Sequence, residues 1–219
     1  DLHFDGNAAF TAALAIAALL LALSLALPLG VFAASRHGSR WDRAASALAV
    51  AGLAIPNIWL GPILILVFAV WLRWLPLPGD IGLSTLILPT ITLGTALAAS
   101  LTRQTRAATL DALSKPHVQA ARARGLSGTR VLRRHALRNA LFPIITVAAA
   151  QLGALLAGTV VVEKIFERPG MGALFLDAFF ARDIPVIQGV VLSVALTYVS
   201  VNLLVDLAYA WIDPRVTLS

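Results

Sequence analysis

The residues best equipped for chemistry in this sequence are arginines. From Arg103 to Pro143 the chain reads RQTRAATLDALSKPHVQAARARGLSGTRVLRRHALRNALFP, and up to Arg138 this stretch holds nine Lys or Arg against one acid, Asp111. Guanidinium groups form charge-assisted hydrogen bonds with carboxylates and phosphates. The chemistry on offer is therefore pairing with carboxylates or with lipid headgroups rather than bond breaking. Catalytic patterns are missing. His3, His37, His117 and His135 are scattered without metal-ligand spacing, and with no cysteine there is neither a disulfide nor a thiolate metal site. Thr102 and Ser127 lie near basic residues but lack the His and Asp partners that mark a nucleophile. There is no GxxxxGK[ST] phosphate loop, since Gly125-Leu126-Ser127-Gly128 has no lysine at the required position. The chain is not expected to be an enzyme, and any nucleotide chemistry must come from a partner.

The basic segment is punctuated. A helix entering from the preceding apolar run continues through Arg106 towards Leu113. Ser114-Lys115-Pro116 reads as a break and restart, with Ser a good cap and Pro favoured at the first helical position. Pro116 to Arg124 then forms a short helix, and Gly125 suits the left-handed residue that ends it. Ser127 can cap a second helix running through Val131, His135 and Asn139. The expected product is a helix–Gly–helix knuckle with Val118, Ala120 and Ala121 as a small apolar tip flanked by Arg122 and Arg124.

The elements that hold this knuckle are membrane spans. The chain is 59% hydrophobic and 13% charged, with a mean hydropathy of +0.85, whereas a soluble domain carries about 25% charged residues. Charge-free runs cover 6–35, 44–72, 81–102, 139–162 and 184–205. A spanning helix needs about 20 mostly apolar residues. Five spans are expected, at about 8–34, 44–72, 81–102, 139–162 and 184–208, within a single transmembrane domain. Prolines 28, 56, 62, 89 and 143 lie inside these runs and read mainly as packing kinks. Abundant small residues favour a packed bundle.

Charge bias orients the chain. The loop at 35–43 carries Arg36, Arg40 and Arg43, the next connection only Arg73, and the segment 103–138 nine cations. Five spans put both strongly basic loops on one side, read as cytoplasmic, with the C-terminus. The N-terminus, with Asp1 and Asp5 and no cation, falls outside, and so does the mixed segment 163–183. The net charge of +6 is a topology signature, not a nucleic-acid footprint. The chain begins at Asp1 and its single Met is Met171. The expectation is that an initial span and an external loop precede it, giving six spans with both ends cytoplasmic.

The stretch QAARARG at 119–125 resembles the cytoplasmic loop of binding-protein-dependent ABC importer permeases, whose pattern is Glu-Ala-Ala, three residues, Gly, then Ile-x-Leu-Pro. Gln119 replaces the Glu, and His135-Ala136-Leu137-Arg138 stands in place of Ile-x-Leu-Pro. Both departures resemble the dipeptide/oligopeptide/nickel branch. So do PLGVFAASRHGSRWDR at 28–43, the region from Ile55-Pro56-Asn57 to Trp74-Leu75-Pro76, VVEKIFERPGMG at 161–172, ARDIPVIQGVV at 181–191 and DLAYAWIDPR at 206–215. The likeness covers nearly the whole chain and is nearest to the first permease of a dipeptide system without its N-terminal span.

The resemblance implies an all-α polytopic protein with the type I ABC importer transmembrane fold in a bacterial inner membrane. The implied partners are a second homologous permease, two ABC ATPases that bind ATP and Mg, and an extracytoplasmic solute-binding protein. The cargo would be di- or oligopeptides, or alternatively nickel or another small solute of the branch. Gln119, Ala120, Ala121, Arg122, Arg124 and Gly125 are the expected ATPase contacts. Arg130, Arg133 and Arg134 are explained equally well as topology charges facing headgroups. Asn57, Gln151 and Asn202 are candidates for the translocation path, with inter-helix hydrogen bonding the plainer role for each. Glu163, Phe166, Pro169 and Gly170 are candidates for an external gate or binding-protein contact, with a structural plug equally favoured. A stand-alone ion-coupled transporter or channel would need intramembrane acids or a repeated filter motif, and neither is seen in the sequence.

Overall fold

A computed structural model describes residues 2–80 and 82–212. Among them every regular element is helical: α1 (Leu2–Ser35), α2 (Arg40–Ala54), α3 (Asn57–Leu64) running into a π-helical stretch (Ile65–Trp71), a 3-10 turn (Leu83–Leu86), α4 (Ile87–Ser114), α5 (Pro116–Ala123), α6 (Gly128–Val131) joined through a π turn (Leu132–Ala136) to α7 (Leu137–Ile165), α8 (Met171–Ala181) and α9 (Ile184–Ile212). By length and composition, 6–35, 83–114 and 184–203 are each able to cross a membrane. The run 139–162 lies within the continuous helix α7.

The run 44–72, expected as one span, is two helices bent by 93°. The break sits at Ile55-Pro56. Pro56 disfavours helical geometry in the residue before it, and Ile55 is extended at φ −89°, ψ 112°. Pro62 lies inside α3 just before the π-helical stretch. The C-terminal tail, with Asp213 and Arg215, lies outside the described residues.

The chain divides into two compact units, one within Asp1–Ile16, Gly61–Pro89 and Ala149–Ser219, the other within Ala17–Leu60 and Thr90–Ala148. In the second, α1 and α4 meet through small residues. A β-carbon on Gly94 would sit 3.1 Å from the Ala18 carbonyl, and one on Gly30 would sit 2.6 Å from Thr105 Cβ and 2.8 Å from the Thr102 carbonyl. Contacts advance together along both helices, so α1 and α4 run in the same direction. Their C-terminal ends, which lead into the two strongly basic loops, therefore share a side. Gly30→Val is expected to destabilise the fold by about 2–3 kcal/mol through overpacking against backbone, read as a lower unfolding midpoint in detergent.

In the first unit, α8 is held by a buried carboxylate. Glu163, 1% exposed, accepts from Thr11 Oγ1 at 2.6 Å and from the Ala173 N–H at 3.0 Å, with the Gly172 N–H and the Thr159 hydroxyl also directed at it. Thr11 Oγ1 in turn accepts from the Met171 N–H at 2.9 Å. The amides of the first turn of a helix have no intrahelical acceptor, and a negative charge there is favoured by the helix dipole. A β-carbon on Gly170 would lie 2.2 Å from the Glu163 carboxyl carbon, and one on Gly172 would lie 2.4 Å from Val160 Cα. The Pro-Gly-Met-Gly sequence is small where the carboxylate and α7 must come close.

Candidate functional site

The knuckle begins where α4 stops. Ser114 Oγ donates to the Asp111 carbonyl at 2.7 Å, and the residue capping α5 is Lys115, in extended geometry, with Pro116 at the first helical position. The cap is thus one residue later than Ser114, because a proline at the first position makes its predecessor the cap. Gln119 Nε2 returns to the Ser114 carbonyl at 3.0 Å, bracing α5 against the end of α4.

The far end of α5 closes as a Schellman turn. Gly125 has φ +78°, its N–H donates to the Arg122 carbonyl at 2.9 Å, and the Leu126 N–H donates to the Ala121 carbonyl at 3.4 Å. This pairing satisfies the last carbonyls of the helix and places an apolar residue against it. Leu126 and Leu113 pack on a core of Val118, Ala121 and Val131. A second cluster of Ala112, Ala136, Ala140 and Ile144 joins the end of α4 to the start of α7, with Leu27 of α1 against it. The Asn139 amide meets His117 Nε2 at 2.9 Å. Together these contacts mount α5 on the stem formed by α4 and α7.

This geometry divides the expected contact set into inward-facing and outward-facing residues. Ala121 is 5% exposed and Val118 fully buried; both point into the knuckle and hold it together rather than forming its tip. Gln119, Ala120, Arg122, Arg124 and Gly125 are exposed and share the outer surface with Arg130, Arg133 and Arg134. Among the described residues neither Arg122 nor Arg124 has an ion-pair partner.

A residue pair not singled out from the sequence ties another loop to this stem. Asp42, 3% exposed, receives Arg106 Nε on Oδ1 at 2.6 Å and Arg106 Nη2 on Oδ2 at 2.8 Å. The Gly38 N–H reaches Oδ2 at 3.0 Å, and the Asp42 N–H donates to the capping Ser39 Oγ at 3.3 Å. The loop between α1 and α2 is thereby pinned to α4 two turns before the knuckle. The Ser39-x-x-Asp42 spacing is a capping signature that marks the helix start; the long-range arginine is invisible to it. Asp42→Ala removes the charged acceptor from a partly exposed Arg106 and is expected to cost about 2 kcal/mol. The check is the thermal midpoint, with the Asp42→Arg, Arg106→Asp exchange as a partial rescue.

The remaining candidates are divided between the two units. Asn57, half-buried at the start of α3 in the second unit, has a buried Oδ1 without a hydrogen-bond partner among the described residues, whereas Gln151 and Asn202 fall in the first unit. A cavity of about 600 Å³ there is lined by Thr11, Gly153, Thr159, Phe175, Val194 and Tyr198 among others, and by neither Gln151 nor Asn202. Glu163, Phe166 and Gly170 are buried in this chain, as a structural plug would be. Their positions come from the α8 clasp and from Phe166 accepting the Gly79 N–H at 3.3 Å. Of the four external candidates only Pro169 is exposed.

Residues 26–218 match the model of the binding-protein-dependent transport system inner membrane component. The chain belongs to this family. Its relatives include the oligopeptide transport system permease protein AppB of Bacillus subtilis, 43% identical over 216 residues, covering 94% of this chain and 68% of that protein. Another is the glutathione transport system permease protein GsiC of Escherichia coli K12, 43% identical over 204 residues, covering 93% of this chain and 66% of that protein. The chain spans about two thirds of the length of these relatives. Among solved structures it is similar to the MetNI methionine ABC transporter, with a TM-score of 0.76 at 20% identity over 93% of both chains. It is also similar to an amino acid ABC transporter, with a TM-score of 0.67 at 16% identity over 94% of this chain and 92% of that one. As a binding-protein-dependent permease component, the chain is a multi-pass membrane protein with the type I ABC importer transmembrane fold.

Proposed function

We propose that this chain is the translocation subunit of an ATP-driven importer of di- or oligopeptides. It pairs with a second homologous permease, rests on two ABC ATPases that bind ATP and Mg, and receives cargo from an extracytoplasmic binding protein. The observation that carries the reading is the knuckle: a closed, internally packed unit whose outer face is basic and whose base is continuous with two long helices. A rigid unit of this kind transmits force, because a packed core moves as a body. Arg122 and Arg124 supply the forks for acidic ATPase side chains, Ala120 allows close approach, and Gln119 and Gly125 set the rim and the turn. Family membership and relatives named for oligopeptide and glutathione transport support the peptide assignment.

In this reading 103–138 and the C-terminus face the cytoplasm. The chain contains no cysteine, so a single Cys introduced at Arg130 reports the side directly through labelling by an impermeant maleimide. Function is tested by reconstituting the four membrane and ATPase subunits with the binding protein and measuring uptake of dipeptides, glutathione, longer peptides and nickel. ATP-dependent peptide uptake is the expected result. Transport by this chain alone, or nickel in preference to peptide, overturns the assignment.

A further inference from the structure

A groove of about 490 Å³ lies between α2 and α4, lined by Ser46 and Val50 on one side and by Ser100, Arg103, Gln104 and Arg106 on the other. Arg43 precedes Ser46 by three residues and Val50 by seven, which places it on the same face of α2 one turn nearer the basic loop. Of these three arginines, Arg106 meets an acid, Asp42. Among the described residues Arg43 and Arg103 have no ion-pair partner, so the groove keeps one uncompensated positive charge at Arg103, with that of Arg43 on the neighbouring turn of α2. Arg103 follows directly on the charge-free run 81–102, and Arg43 directly precedes the run 44–72. Both therefore stand at the membrane boundary. Next to them α2 exposes Trp41, Leu48 and Val50, at 48, 65 and 55%; tryptophan is characteristic of the interface.

We infer that this groove binds the phosphodiester headgroup of an anionic phospholipid. Arg103 takes the phosphate with Arg43 at the mouth, Ser46 and Gln104 offer neutral donors to the remaining headgroup oxygens, and the acyl chains lie along the exposed apolar face of α2. A basic pocket between membrane helices on the cytoplasmic side suits anionic headgroups, and a cationic groove bordered by exposed apolar surface fits an amphiphile better than a free anion. The Asp42–Arg106 pair holds the two walls together. The assignment to the cytoplasmic leaflet rests on the sidedness of the permease reading, whereas the binding chemistry does not.

The test is lipid retention by the purified transporter containing this chain. Phosphatidylglycerol, phosphatidylethanolamine and inorganic phosphate are titrated separately, and bound molecules are counted by native mass spectrometry. Phosphatidylglycerol is expected to fill a site that phosphatidylethanolamine does not. Arg103→Ala is expected to weaken it about fivefold, Arg103→Glu further, and Ser46→Phe, which fills the groove without altering charge, comparably. Arg133→Ala, which removes another exposed cation, on the π turn, is expected to leave it intact. Equal retention in wild type, Arg103→Ala and Ser46→Phe overturns the site. An equal loss with Arg133→Ala overturns it in favour of diffuse surface charge. Inorganic phosphate binding as tightly as the lipid, with the same dependence on Arg103, overturns the lipid assignment. Complex assembly and ATP-dependent uptake, recorded on the same preparations, report the permease reading separately, so either result can fail without the other.

Discussion

Replacing Arg122 and Arg124 together by glutamate is expected to abolish ATP-driven uptake while leaving the chain folded in the membrane. Both side chains are exposed, and among the described residues neither is ion-paired within the chain, so the fold loses little; surface substitutions of this kind stay within about 0.5 kcal/mol. The cost falls on the partner. A hydrogen bond to a charged group contributes about 1.5–3 kcal/mol, so losing two weakens ATPase association by roughly a hundredfold or more, and reversal adds repulsion. The double alanine variant should fall between. Gly125→Pro provides an orthogonal route to the same loss: proline cannot take φ +78° and has no N–H for the Arg122 carbonyl. The measurements are co-purification of the ATPases and peptide uptake in vesicles. If both survive the double reversal, the outer face of α5 is not the docking surface.

Glu163→Ala is expected to be the most damaging single truncation for stability. It strips acceptors from the Ala173 and Gly172 amides and from the Thr11 hydroxyl in a buried site. Each buried donor left unsatisfied costs about 1–3 kcal/mol, so a loss of about 3 kcal/mol or more is expected. Glu163→Gln keeps an acceptor oxygen and should lose less. Gly170→Val attacks the same clasp from the other side, since even a β-carbon would lie within 2.4 Å of both carboxylate oxygens. Both variants should lower the unfolding midpoint and expose α8 to protease. If Glu163→Ala unfolds at the wild-type midpoint, the carboxylate does not hold α8. A stable variant that failed only in uptake would point instead to a gating role.

How much of this was legible beforehand varies by element. The break at Pro116, the short helix after it and the left-handed Gly125 were readable because proline and glycine act through their own backbone, independent of what surrounds them. The direction in which α5 faces was not. Val118, Ala120 and Ala121 are alike in composition, and only Leu113, Leu126 and Val131 packing on one side decide that Ala120 faces out and Ala121 in. The bend at Ile55-Pro56 shows the same division: a proline announces a kink, while its 93° magnitude depends on tertiary packing.

The sequence by itself determined the class of protein, the number and limits of the apolar runs, and the position and punctuation of the basic segment. These follow from transfer free energy and local backbone geometry, which are properties of short stretches. The tertiary structure alone decided which charges are buried and matched. Asp42 and Arg106 stand 64 residues apart and Thr11 and Glu163 stand 152 apart, separations across which no local pattern carries information. For Glu163 the sequence left an external gate or contact and a structural plug equally open; it is the internal clasp of α8 because the fold brings the free amides of that helix to it.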